Sequence, residues 1–235
     1  MKIRTALVIA AGAVAAAGLV TACSNGTAPH PTDTVAGATA AAAMPATATF
    51  IADIPVSHDE PMTMPMTMAI TVDGDDVVAY ATNGSTDEAY FFGQQRDGRM
   101  DLMSVYGDEL EAAFDGTTIN GELTMNEADT TVMTFAASRV AEPAGLYTAK
   151  HGDARATYVV RPDRSITGVM NNSAPGDHKV TDAIKAKDKA FMDQVRQMRL
   201  NQQLSQAPAM RYGTWSMDMH GTEVTATRVS GAMSF

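Results

Sequence analysis

Met62-Thr63-Met64-Pro65-Met66-Thr67-Met68-Ala69-Ile70-Thr71-Val72 alternates without a slip. Met62, Met64, Met66, Met68, Ile70 and Val72 fall on one side; Thr63, Pro65, Thr67, Ala69 and Thr71 fall on the other. Successive side chains of an extended chain point to opposite faces, so this period of two reads as a half-buried β-strand. Pro65 has no N–H to give to a ladder, which sets it at the strand's start or at a sheet edge. Asp73-Gly74-Asp75-Asp76 then reads as a hairpin turn. Beyond it, short strand patterns recur over Val77–Thr82, Tyr90–Gln94, Arg99–Val105, Glu109–Phe114, Thr118–Met125, Thr131–Ala137, Gly145–Lys150, Ala156–Val160 and Ser165–Val169. Asn83-Gly84, Arg96-Asp97-Gly98, Tyr106-Gly107-Asp108 and Asp115-Gly116 supply turn chemistry between them. The expected fold is mainly β: an antiparallel meander over residues 62–170, closed as a small barrel or stacked as a sandwich. Periodicity does not choose between the two.

The pattern changes after Pro175. Val180, Ile184, Phe191, Val195 and Met198 recur at helical spacing, Asp177 stands where an N-cap belongs, and no Gly or Pro interrupts before Pro208. One long amphipathic helix is predicted over 177–204, packed on the β domain along the sheet or across a barrel end. Its six basic and four acidic side chains between 177 and 200 are too mixed for a membrane-surface helix. Residues 211–235 return to β: Tyr212–Met219, a turn at His220-Gly221, then Thr222–Val229, a C-terminal hairpin.

Upstream of the strand, residues 23–61 are dominated by Ala, Thr, Pro and Gly from Ser24 to about Phe50. Such a composition buries too little apolar surface to offset the entropy of ordering, so it reads as a flexible tether. Residues 1–22 carry Lys2 and Arg4 and then an uncharged run from Ala6 to Ala22, the pattern of a secretory signal peptide. Val20-Thr21-Ala22-Cys23 resembles the bacterial lipobox. That resemblance implies cleavage before Cys23, a diacylglyceryl thioether on its sulfur and acylation of the new amino group. The implied location is the outer face of the cell membrane, with the N-terminal lipid as the anchor. Cys23 is the single cysteine, so the mature chain holds no disulfide and its stability comes from packing. Removing Lys2 and Arg4 takes the formal net charge from −10 to −12 over residues 23–235, which argues against nucleic acid as a partner.

Val77–Gly84, Asp97–Leu102, Thr118–Met125 and Ala144–Tyr147 together resemble strand–turn units of actinobacterial secreted and lipid-anchored proteins of unknown function. The resemblance runs from about Met62 to Met170. It implies an envelope location and a β-rich fold, and brings no catalytic residue.

No catalytic set stands out. His30, His58, His151, His178 and His220 are far apart, and there is no His-Glu-x-x-His, nucleophile elbow or phosphate loop. The methionines offer one sharper idea. Met64 and Met66 on the first strand, with His58 upstream, and Met217 and Met219 beside Trp215 and His220, present thioether and imidazole ligands that suit Cu(I). The competing reading is adaptable core filling, since the alternation continues into Ile70 and Val72. The leading expectation is a non-enzymatic envelope lipoprotein that binds a small hydrophobic ligand in a Met-lined interior, or another envelope protein. A Met-rich Cu(I)-binding protein is the second reading, and a hydrolase without a familiar motif the third.

Overall fold

The computed structural model describes residues 42–55, 64–127, 131–173 and 179–234. Residues 1–22 with Val20, Thr21 and Ala22, Cys23, the tether up to residue 41 and from 56 to 61, His30, His58, Met62, Asp177 and His178 lie outside them. Eight strands follow in chain order: β1 (Thr47–Ile54), β2 (Met66–Asp73), β3 (Asp76–Thr82), β4 (Glu88–Arg96), β5 (Arg99–Met103), β6 (Glu109–Phe114), β7 (Thr118–Met125) and β8 (Thr131–Val140). Each pairs antiparallel with the next, and β8 returns to β1 at Thr49↔Val140, closing an eight-stranded barrel. Of barrel and sandwich, the structure is the barrel. The turn Asp73–Asp76 joins β2 to β3 as expected, with Gly74 at a φ of 62° that a side chain resists.

The alternation of β2 sets the inside from the outside. Met66, Met68, Ile70 and Val72 point into the barrel with Phe50, Phe91, Phe114, Phe135, Leu110 and Leu123. Phe50 and Phe114 meet edge to face at 5.6 Å. An eight-stranded barrel is just wide enough for side chains to fill, and this one is filled with large ones. Two details differ from expectation. Met64 precedes β2 and is 53% exposed, so the inward methionine row begins at Met66. The other face of β2 is buried as well: Thr67, Ala69 and Thr71 lie under a second layer.

That layer is a five-stranded sheet of β9 (Gly145–His151), β10 (Ala154–Val160), β11 (Ile166–Asn171), β12 (Leu204–Gln206) and β15 (Thr227–Arg228), ordered β12-β11-β10-β9-β15. Residues 62–170 are thus not one meander but most of a barrel and three strands of a sheet laid on its wall. Leu146 and Val159 of the sheet, with Ala144 and Val229 beside it, meet Ile51, Ala69, Val78, Tyr80 and Tyr90 of the wall. The sheet's far side packs Tyr147, Ala149, Ala156 and Tyr158 against the predicted C-terminal hairpin, β13 (Ser216–Met219) with β14 (Thr222–Thr225). A buried ion pair joins barrel to sheet: Glu88 of β4 accepts from Arg155 of β10 at 2.9 Å, with the two side chains 3% and 1% exposed. Asn171 and Tyr80 also donate to the Glu88 carboxylate, each at 3.1 Å, and the Arg155 guanidinium lies 4.6 Å from the centre of the Tyr90 ring.

Two further expectations are corrected. Thr47–Ile54, read as part of the tether, is β1. Its Phe50, Ala52 and Ile54 join the barrel core, and Thr and Ala fill the other positions without spoiling an extended backbone. The single helix over 177–204 is two pieces, α1 (Asp182–Lys185) and α2 (Lys189–Leu200). Lys187 sits at a φ of 51°, and the Asp188 carboxylate accepts from the Phe191 N–H at 3.0 Å, so it caps a new helix where the pattern reads through. The packed face matches in part, with Ile184 and Val195 of the stripe buried. Met198 is 54% exposed, whereas Arg199 is buried.

Arg199 explains that inversion. It reaches the loops at one end of the barrel, where Asp87 and Asp108 both accept from it. Asp108, fully buried, also accepts from the Ser104 hydroxyl at 2.6 Å and the Asn126 N–H at 2.8 Å. Arg196 donates to the Asn126 side chain at 2.8 Å. Helix α2 therefore covers a barrel end, one of the two placements expected for it, with Val195 of the apolar stripe buried beside the paired charges of Arg199.

Removing one partner of a buried pair strands the other charge. Arg155→Met should cost about 3–5 kcal/mol in urea unfolding, and Glu88→Gln/Arg155→Met distinctly less; equal losses would contradict the pairing. Burial pushes the Asp87 carboxyl above its ordinary range, outweighing the attraction of Arg199, and the nearby Asp108 charge adds to the rise. The folded chain then keeps a proton that the unfolded chain has lost, so stability should fall as pH rises from the ordinary Asp value through the raised one. In unfolding series stepped in pH, Asp87→Asn should remove that slope.

Candidate binding groove

The wall opposite the second sheet is where the barrel is least regular. Strand β4 pairs with β3 over seven positions, from Asp76↔Gln94 to Thr82↔Glu88. Its ladder with β5 has two, Gln95↔Met100 and Arg96↔Arg99. Past those pairs the two strands diverge. The Leu102 side chain bridges the split by packing over Gly93, where a Cβ would collide with it. Outside this seam lies an open groove of about 1180 Å³ running the length of β5. Phe92 and Gln94 form one bank, the outward side chains of β5, β6 and β7 form the floor, and Val180 and Lys185 stand on the rim.

Strand register orders the floor into rows. Arg99, Ala113 and Asn120 are successive cross-strand neighbours on β5, β6 and β7. Two residues further along, Asp101, Glu111 and Glu122 are neighbours in the same way. The next row is Met103, Glu109 and Thr124. Three exposed carboxylates thus stand side by side on adjacent strands, an arrangement in which like charges repel. Among the described residues none of the three has an ion-pair partner, whereas Glu109 in the next row is paired with Lys187 at 2.8 Å. The Lys187 ammonium is held above its ordinary range first by that hydrogen bond, with the charges of Glu109, Glu111 and Asp101 adding to it. Arg96 and Arg99 put positive charge at the far end of the groove.

The residues considered for copper do not form one site. Met64 is exposed and touches Asn83, while Met66 is in the barrel core. Met217 and Met219 are buried beneath the C-terminal hairpin, on the far side of the second sheet, packed with Met210. Trp215 stacks on Tyr147 with ring centres 4.8 Å apart. His220 is exposed at the hairpin turn, 3.0 Å from the Asn172 side-chain oxygen. Met66 and the Met217–Met219 pair therefore belong to separate cores, and Met64 to neither. Among the described residues no three His, Asp or Glu side chains gather closely enough to hold a metal ion.

The carboxylate row is absent from the sequence reading. The three residues lie at outward positions of strands that the sequence does indicate, but only strand register sets them side by side. Comparison of the chain with protein-family models, with curated proteins and with solved structures finds no match.

Glu111 is the middle carboxylate, repelled from both sides. Glu111→Gln should raise stability by about 0.5 kcal/mol at low salt, and the gain should shrink as added NaCl screens the row. A loss of stability in urea unfolding would mean that Glu111 has a favourable partner.

Proposed function

We propose that this protein is a non-enzymatic binding module of the cell envelope, anchored through an acylated Cys23, and that it binds with the groove on its outer wall. The observation that carries the reading is the contrast between the two sides of the barrel wall. Inside, Phe50, Phe91, Phe114, Phe135, Met66 and Met68 occupy the space that a carrier would leave for cargo. Outside, a groove of about 1180 Å³ is lined by exposed charges, among them three neighbouring carboxylates with no ion-pair partner among the described residues. Rules of local stability are broken most often where function requires it. A partner in the envelope therefore fits better than a small hydrophobic ligand held in the interior.

The buried polar groups support a binding role over catalysis. Glu88 and Arg155 satisfy each other across the two layers. The Ser104 hydroxyl, itself buried, donates to Asp108 and accepts from the N–H groups of Tyr106 and Asp108, the hydrogen bonding of a turn rather than of a nucleophile. The anchoring of the module rests on the lipobox alone.

A photo-crosslinking amino acid placed at Asn120, on the groove floor, in the full chain in its own cells tests the assignment. A discrete adduct from Asn120, absent when the probe replaces Glu223 on the C-terminal hairpin, is expected. Equal labelling from both positions, or none from Asn120, would count against the groove.

A further inference from the structure

We propose that the groove takes an extended polypeptide segment of a partner that places a Lys or Arg side chain over the Asp101–Glu111–Glu122 row; this rests on the groove being the binding site. Three features of the groove select that occupant. The first is its shape. It follows β5 from Arg99 to Met103, and five strand residues span about 17 Å, which suits an extended segment lying along the strand better than a compact small molecule. The second is the broken seam. The β4–β5 ladder stops at Gln95↔Met100, so the wall diverges along the line where an added segment would lie.

The third is charge in register with the strand. The Asp101–Glu111–Glu122 row lies two residues along from the Arg99–Ala113–Asn120 row, and Glu109 in the following row is already paired with Lys187. An extended segment repeats its side chains on one face every two residues, about 6.8 Å, the same step that separates these rows. A basic side chain over the middle row stands above Glu111 with Asp101 and Glu122 on either side, whereas the positions two residues away lie over Arg99, Ala113 and Asn120 or over Met103 and the paired Glu109, where a neutral side chain fits. Neutralising the row relieves the cross-strand repulsion that the free protein bears, so the relief is gained only in the complex. The net charge of −10 favours a basic partner in the same sense. It disfavours a nucleic acid or an anionic headgroup.

The test is a titration of the full chain with a labelled, capped Thr-Thr-Thr-Lys-Thr-Thr-Thr peptide, with its Thr-Thr-Thr-Glu-Thr-Thr-Thr counterpart as control. Binding of the Lys peptide alone is expected, weakening as salt is raised. The variant Asp101→Asn/Glu111→Gln/Glu122→Gln should lose about tenfold in affinity or more while melting no lower than the parent, because it sheds repulsion. Glu223→Gln, a charge change elsewhere on the surface, should leave affinity unchanged. Equal binding of both peptides, undiminished affinity in the triple variant, or displacement of the peptide by spermidine at equal concentration would each overturn the proposal, the last by showing a site for any small polycation. If neither peptide binds while Asn120 still crosslinks in cells, the basic-segment proposal falls and the groove stands; loss of both removes the groove as well.

Discussion

Among the described residues, Glu88 and Arg155 are the one ion pair buried between the two layers, and the architecture is arranged around them. A lone carboxylate or guanidinium at 3% or 1% exposure would be strongly destabilising. Paired, and joined by Asn171, Tyr80 and the Tyr90 ring, they fix which face of the second sheet lies on which part of the barrel wall. The apolar contacts around them, Ala69, Val78, Leu146 and Val159 among others, would tolerate a sliding fit; a buried ion pair with directional partners would not. The preceding residue, Asp87, turns to the barrel end and takes Arg199 of α2. Two neighbouring carboxylates thus hold both coverings of the barrel, the sheet on its side and the helix on its end.

This arrangement has a consequence for binding. With one flank under the sheet, one end under α2 and the interior filled by its own Phe and Met side chains, the barrel presents β4 to β7 as its exposed wall. There the ladder is weakest and the charges are least compensated. Stability resides in the covered parts and the electrostatic cost is concentrated on the uncovered one, a division that suits a rigid scaffold with a working surface.

Much of the β architecture is readable from sequence because it rests on local signals. Alternation fixes the strands, Gly and Asp fix the turns, and nine strands from β3 to β11 stand close to where those signals put them. What fails depends on distant partners. Strand β1 begins Thr47-Ala48-Thr49, continuous in composition with the Ala/Thr stretch before it, and becomes a strand because β2 and β8 flank it. The helix pattern reads through Asp188 because a capping carboxylate and a solvated one look alike in sequence, and nothing local tells Arg199 to be buried. The groove fails for the same reason: Asp101, Glu111 and Glu122 are each ordinary outward residues, and become a row through register alone. The methionine alternation reads two ways in sequence, as core filling or as soft ligands, and Met66 and Met68 pack in the barrel core while Met217 and Met219 pack in another.

The measurement that bears most directly on a packed barrel working through its outer wall is native mass spectrometry of the protein purified from its own membranes, before and after denaturation. The expected result is the mass of residues 23–235 with acyl chains on Cys23, and no hydrophobic molecule released on unfolding. A lipid or other apolar molecule held by the folded chain and set free by denaturation would contradict a barrel closed by its own side chains. An unmodified Cys23 would contradict the anchor.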